Sequence, residues 1–126
     1  RRALLAHPRL VPLFIARPGG PNAIRLGEAA LACLVRGGLS GRDAVEAMRA
    51  LLVYTLGSAA VEVPRATDPD SQERLDRATK VIEHLPAEQF PTTRSLAPFL
   101  ASHPGDAEFE AGLRWLLAGI ERDARR

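Results

Sequence analysis

From Ala50 to Val61 the chain reads ALLVYTLGSAAV, twelve consecutive residues without a charge. The stretch belongs to a helix that Ser40 caps, that Asp43 opens at its positive end, and that runs to about Val63 before Pro64. The first half of this helix is amphipathic. Val45, Met48 and Leu52 share one face, and Arg42, Asp43, Glu46 and Arg49 lie on the exposed side. A helix that then becomes apolar all round has to be covered on more than one side. In a chain of 126 residues one face can pack on its own domain, and the other is most simply met by a second copy.

With 46% apolar and 25% charged residues, the chain has the make-up of one soluble domain, residues 1–126, with a single core. Disordered, collagen-like and disulfide-stapled classes are excluded. Of the 17 basic residues behind the formal charge of +2, four are Arg1, Arg2, Arg125 and Arg126 at the two ends. Without them the balance turns slightly acidic, so the chain has no clustered basic face with which to hold DNA by itself. The single Cys33, in the apolar run LACLV, allows neither an intrachain disulfide nor a cysteine zinc site, and reads as a buried thiol in a reducing compartment. No apolar stretch is expected to reach the roughly 18 residues that span a bilayer, and the start RRALLAHP lacks the h-region of a signal peptide. A cytoplasmic protein with no membrane partner follows.

Sparse β-branched residues and the dominance of Ala, Leu, Arg and Glu predict helix throughout. Pro8 and Pro12 divide residues 3–16 into two short helices, RPGGPN forms a loop, and a helix from about Ala23 to Arg36 stops at Gly37-Gly38. After the central helix, RATDPDS reads as a mobile linker over residues 65–71. A surface helix from Gln72 to Leu85, a short one from Thr92 to Ala101 despite Pro98, and a last one from Asp106 to Asp123 complete the pattern. The last helix carries a core stripe of Phe109, Leu113, Leu116, Leu117 and Ile120, and beside it a line of Gly112, Trp115 and Gly119. Glycine inside a helix costs roughly 1 kcal/mol against alanine. Two on one face point to close approach of another helix.

Signals for catalysis are missing. His7, His84 and His103 are scattered, with His7 and His103 just before prolines, where a helix-end role suffices, and no metal spacing occurs. The two Gly-Gly pairs lack the strand and the Lys-Ser/Thr of a phosphate loop. ACLVRGGLSGRDAVEAM imitates a helix-turn-helix, but its second helix loses its polar face and opens with the acids Asp43 and Glu46, which suit phosphates badly.

In order, RRALLAHPRLVPLF, RPGG, LVRGGLS, LLVYTLGSAAVEV, FPTTRSLAPFLA and FEAGLRWLLAGIE cover almost the whole chain. Together they resemble the C-terminal regulatory domain of the tetracycline-repressor (TetR) family of bacterial transcription regulators. YTLG followed by an acid, and F-x-x-GL-x-x-L-x-x-G, carry the resemblance as a pair. It implies an all-α ligand-binding and dimerisation domain whose long and last helices form an intersubunit four-helix bundle in a homodimer. Tyr54, Ser58, Ala59, Gly112, Trp115 and Gly119 are the interface positions so implied.

The resemblance also implies an apolar cavity for a small inducer. The matching positions are Leu13, Phe14, Arg17, Pro18, Ala30, Leu31, Val45, Met48, Leu52 and Leu56, with Leu96 and Phe99 of the partner copy as a lid. The tetracycline repressor itself places a His near the position of Phe14 and a Glu near that of Val61 to hold a magnesium-chelated drug. Neither type is present here, and Glu62 lies about 100° round the helix. The expected ligand is therefore a largely apolar organic molecule, with no metal and no cofactor. The resemblance implies that operator DNA is reached only through an N-terminal domain outside this sequence. The expectation is a non-enzymatic repressor domain; the alternative is a helical protein-interaction module without a small-molecule site.

Overall fold

The computed structural model describes residues 1–16, 19–100, 102 and 105–125. Among them the secondary structure is entirely helical: α1 (Arg2–Ala6), α2 (Leu10–Ala16), α3 (Pro21–Arg36), α4 (Gly41–Thr67), α5 (Ser71–Glu83), α6 (Pro91–Ser95), α7 (Ala97–Leu100) and α8 (Asp106–Ala124). The prolines sort themselves by whether a backbone donor is needed. Pro8 separates α1 from α2, whereas Pro12 is the third residue of α2, where its missing N–H has no partner to lose. Pro21 opens α3 in the same way.

Pro64 does not end the central helix, contrary to the reading from sequence. α4 continues through it to Thr67, and the Thr67 hydroxyl donates to the Val63 carbonyl at 2.9 Å. The expected seven-residue linker thus shrinks to the turn 68–70. There the Asp70 N–H donates to Asp68 Oδ1 at 2.9 Å, and Asp68 pairs with Arg74 of α5. Pro98 does interrupt. The expected helix over 92–101 is split at Leu96 into α6 and α7, because Pro98 has no N–H to offer the Arg94 carbonyl. His7 and His84 are the C-cap residues of α1 and α5; His103 lies outside the described residues.

α4 is the axis of the molecule, with α1, α2, α3 and α8 packed on it, while α5, α6 and α7 pack on one another. Among the described residues the buried apolar ones are Val11, Leu39, Ala44, Ala47, Ala59 and Ala97, most of them alanine. Leu39, in the turn between α3 and α4, seals the cluster of Ala44 and Ala47, against which Leu31, Leu34, Ile120 and Ala124 pack. Cys33 is exposed, not buried: Leu31 and Leu34 take the inward face of α3, and Cys33 lies about 100° away from Leu34. α4 is also long and apolar enough, by length and composition, to cross a bilayer, which corrects the expectation that no stretch is.

Two glycines of the α3–α4 connection, Gly38 and Gly41, have positive φ, and Gly38 is the more confined of them. Gly37 has φ −76°, but Gly38 has φ +102°, and a Cβ there would meet the Ala124 carbonyl oxygen at 3.2 Å. Gly38→Ala is therefore expected to lower stability by about 1–3 kcal/mol, with Gly37→Ala costing less. Urea unfolding at fixed protein concentration measures both.

Candidate functional site

Tyr54 of α4 determines how the two longest helices meet. Its ring stacks on Phe109 of α8 with centroids 5.2 Å apart and planes inclined by 15°, and its hydroxyl donates to the Phe109 carbonyl at 2.9 Å. Gly112, one turn on, leaves room for the phenol: a Cβ there would come within 2.8 Å of Tyr54 Cζ. The close approach inferred from the glycine line is thus real at Gly112, and the approaching helix is α4 of the same chain. At Gly119 nothing comes within 4 Å of where a Cβ would be, so that position is open.

Arg1 completes the cluster. Its guanidinium is hydrogen-bonded to Glu62 of α4 and Asp106 of α8, and lies 5.0 Å from the centroid of the Phe109 ring. Only 5% of its side chain is exposed. Arg1, counted from sequence among the terminal arginines, is thus engaged with α4 and α8. Burial alone lowers the pKa of this guanidinium, and its hydrogen bonds to Asp106 and Glu62 outweigh that, raising the net value. Glu62, where the resemblance has its metal-site acid one residue earlier, is thus occupied by an arginine.

Beyond this cluster α4 and α8 present an apolar surface. Trp115 is 77% exposed and Val53 67%. Ala50, Val53, Tyr54, Glu108, Gly112, Trp115 and Leu116 line an open depression of about 640 Å³. Among the interface positions implied by the resemblance, Trp115 is exposed and Tyr54, Ser58, Gly112 and Gly119 are half-buried. Ala59 is 0% exposed and so is enclosed by its own chain. Ala50 and Val53 are not among the interface positions expected from sequence, although both lie in the uncharged stretch that signals the surface, and Leu116, expected in the core stripe of the last helix, borders the depression as well.

The positions matched to an inducer cavity are spread over two regions. Leu13 and Phe14 on α2 are exposed, and Ala30 and Leu31 on α3 are half-buried. On α4, Val45, Met48 and Leu56 are half-buried and Leu52 is exposed. Because α2 and α3 both pack on α4, these eight lie on neighbouring elements. Leu31 is also part of the packing around Leu39. Leu96 and Phe99 lie away from them, exposed on the α5–α7 cluster. Arg17 and Pro18 lie outside the described residues. A second depression, of about 510 Å³, is lined by Arg65, Ser71, Arg74, Leu75, Phe99, Leu100, Ser102 and Glu108. Neither depression is lined by Phe14, Met48 or Leu52.

The model of the tetracyclin repressor-like C-terminal domain matches residues 1–124. This chain belongs to the tetracycline-repressor family, as a C-terminal domain. It is 32% identical over 124 residues to the tetracycline repressor protein class C of Escherichia coli, a match that takes in 97% of this chain and 53% of the relative. Among solved structures it resembles the Streptomyces coelicolor TetR family protein ActR in complex with actinorhodin. The TM-score is 0.86 at 30% identity, over 99% of this chain and 60% of that one. The chain thus spans little more than half the length of the relatives it matches. The all-helical fold expected from sequence is the family's.

Two measurements test the cluster. Gly112→Ala should cost about 1–3 kcal/mol by overpacking, and Tyr54→Phe, which removes the atom nearest the new methyl, should recover part of that loss in the double variant. Additive losses in urea unfolding would contradict the contact. At the start of α8, the Gly105 N–H donates to the Glu108 carboxylate at 3.0 Å and, with Glu108's own N–H, holds its pKa below the ordinary carboxylate value. A depressed folded-state pKa gives stability that is complete above the unfolded value and lost as pH falls through the folded one. Glu108→Ala should therefore lower the urea midpoint at pH 7, and the gap should close at acid pH. A gap of equal size at pH 7 and pH 3 would show that the carboxylate charge is not involved.

Proposed function

We propose that this chain is the ligand-sensing and dimerisation part of a TetR-like transcriptional repressor, working in the cytoplasm as a homodimer and not as an enzyme. A small, largely apolar molecule is bound by the α2, α3 and α4 residues, with Leu96 and Phe99 of the partner copy as a lid. Binding favours one arrangement of the dimer and so releases operator DNA, which is held by a domain outside the 126 residues. A bias of a few kcal/mol between the two arrangements suffices.

One observation carries this reading: the apolar side chains that a single copy leaves in water. Trp115 and Val53 on the α4–α8 face, and Leu10, Leu13, Phe14 and Leu52 on α2 and α4, are all exposed in a chain whose enclosed core is mostly alanine. A monomer rarely leaves so many large apolar groups bare on neighbouring helices. ActR, the solved relative, is described in complex with a small molecule, actinorhodin, which supports a ligand-binding role here. The rival reading, an interaction module without a ligand site, draws on the fact that neither depression is lined by Phe14, Met48 or Leu52.

Sedimentation should give a dimer for the wild-type chain at micromolar concentration, and a folded monomer when Val53→Asp and Trp115→Glu are combined. A wild-type monomer would refute the interface. Naphthalene-2-methanol should raise the melting temperature of the wild type and have much less effect on Phe14→Glu. No shift with this probe or other neutral polycyclic probes would favour the rival.

A further inference from the structure

The depression between the end of α4, the α5–α7 cluster and the start of α8 is chemically unlike the apolar region on α2, α3 and α4. Its apolar lining is Leu75, Phe99 and Leu100, and Phe99 is 75% exposed within its own chain. Its charged lining is two guanidiniums, Arg65 and Arg74, against one carboxylate, Glu108. That carboxylate is held by the Gly105 N–H, and Arg74 is paired with Asp68. Arg65, in the last turn of α4, makes no ion pair among the described residues.

We propose that this depression is a second small-molecule site, distinct from the α2–α3–α4 region, and that it takes an aromatic carboxylate of about two fused rings. The volume of about 510 Å³ accommodates a ligand of that size. The carboxylate pairs with Arg65, whose planar fork of donors matches it in a bidentate manner. The rings cover Phe99 and Leu100 and remove their apolar surface from water. The ligand's negative charge gives Arg65 the acidic partner that Asp68 already gives Arg74. A neutral arene of the same shape lacks the partner for Arg65 and binds less well, which separates this site from the apolar one.

The test is calorimetric titration of the intact chain with 2-naphthoate and with naphthalene-2-methanol. Wild type should bind the acid at least tenfold more tightly than Arg65→Gln does, with Arg65→Lys intermediate and affinity falling as salt rises. Arg65 is exposed, so these variants should keep the wild-type circular dichroism and melting temperature. Phe99→Ala should weaken the acid as well. Equal affinity of wild type and Arg65→Gln for 2-naphthoate would overturn the proposal. So would an Arg65→Gln effect on the neutral alcohol as large as that on the acid, since Arg65 would then act through the fold and not through the carboxylate.

Discussion

The seating of Tyr54 on α8 is the contact on which the rest of the arrangement depends. A ring stack, a hydroxyl-to-carbonyl hydrogen bond and a glycine hollow act at one point, so α4 and α8 are held in both distance and register. A stacked aromatic pair contributes about 0.5–1.5 kcal/mol beyond its buried area. The directional bond matters more for geometry, because it leaves one position along α8 where the phenol is satisfied. Arg1 extends the cluster by bridging Glu62 and Asp106, so α1 is fastened to the same two helices.

Once that contact is made, the nature of the core explains the nature of the surface. The enclosed residues are mostly alanines, which let helices come close and bury little area each. Large apolar side chains such as Trp115, Val53 and Phe14 are left outside. In the proposed dimer these are the groups that a second copy and a ligand cover, so one property of the core accounts for both parts of the proposed function. The mixed depression around Arg65 arises differently: α5, α6 and α7 pack chiefly on one another and leave space against the end of α4.

Much of this could be read from residue order. Element type was legible because helix formers dominate and the breakers fall between periodic segments, and the uncharged run from Ala50 to Val61 signalled a face needing cover. Boundaries at prolines were less so: Pro64 lies inside α4, whereas the break between α6 and α7 falls at Leu96, two residues before Pro98. Cys33 was misread because an apolar run does not say which of its residues faces inward. The glycine line was read correctly as a close approach at Gly112, but periodicity could not tell a partner's helix from the chain's own.

The sequence by itself determined the helical class, the family and the excess of apolar helix surface, because these depend on local propensity, residue order and spacing along one helix. Tertiary structure alone decided that Arg1 bridges α4 and α8, that Ala59 faces its own chain while Trp115 faces out, and that Arg65, Arg74 and Phe99 border one depression. Each of those depends on groups separated by tens of residues along the chain. No local pattern records such distances; only the packing of α8 and the α5–α7 cluster around α4 brings these groups together.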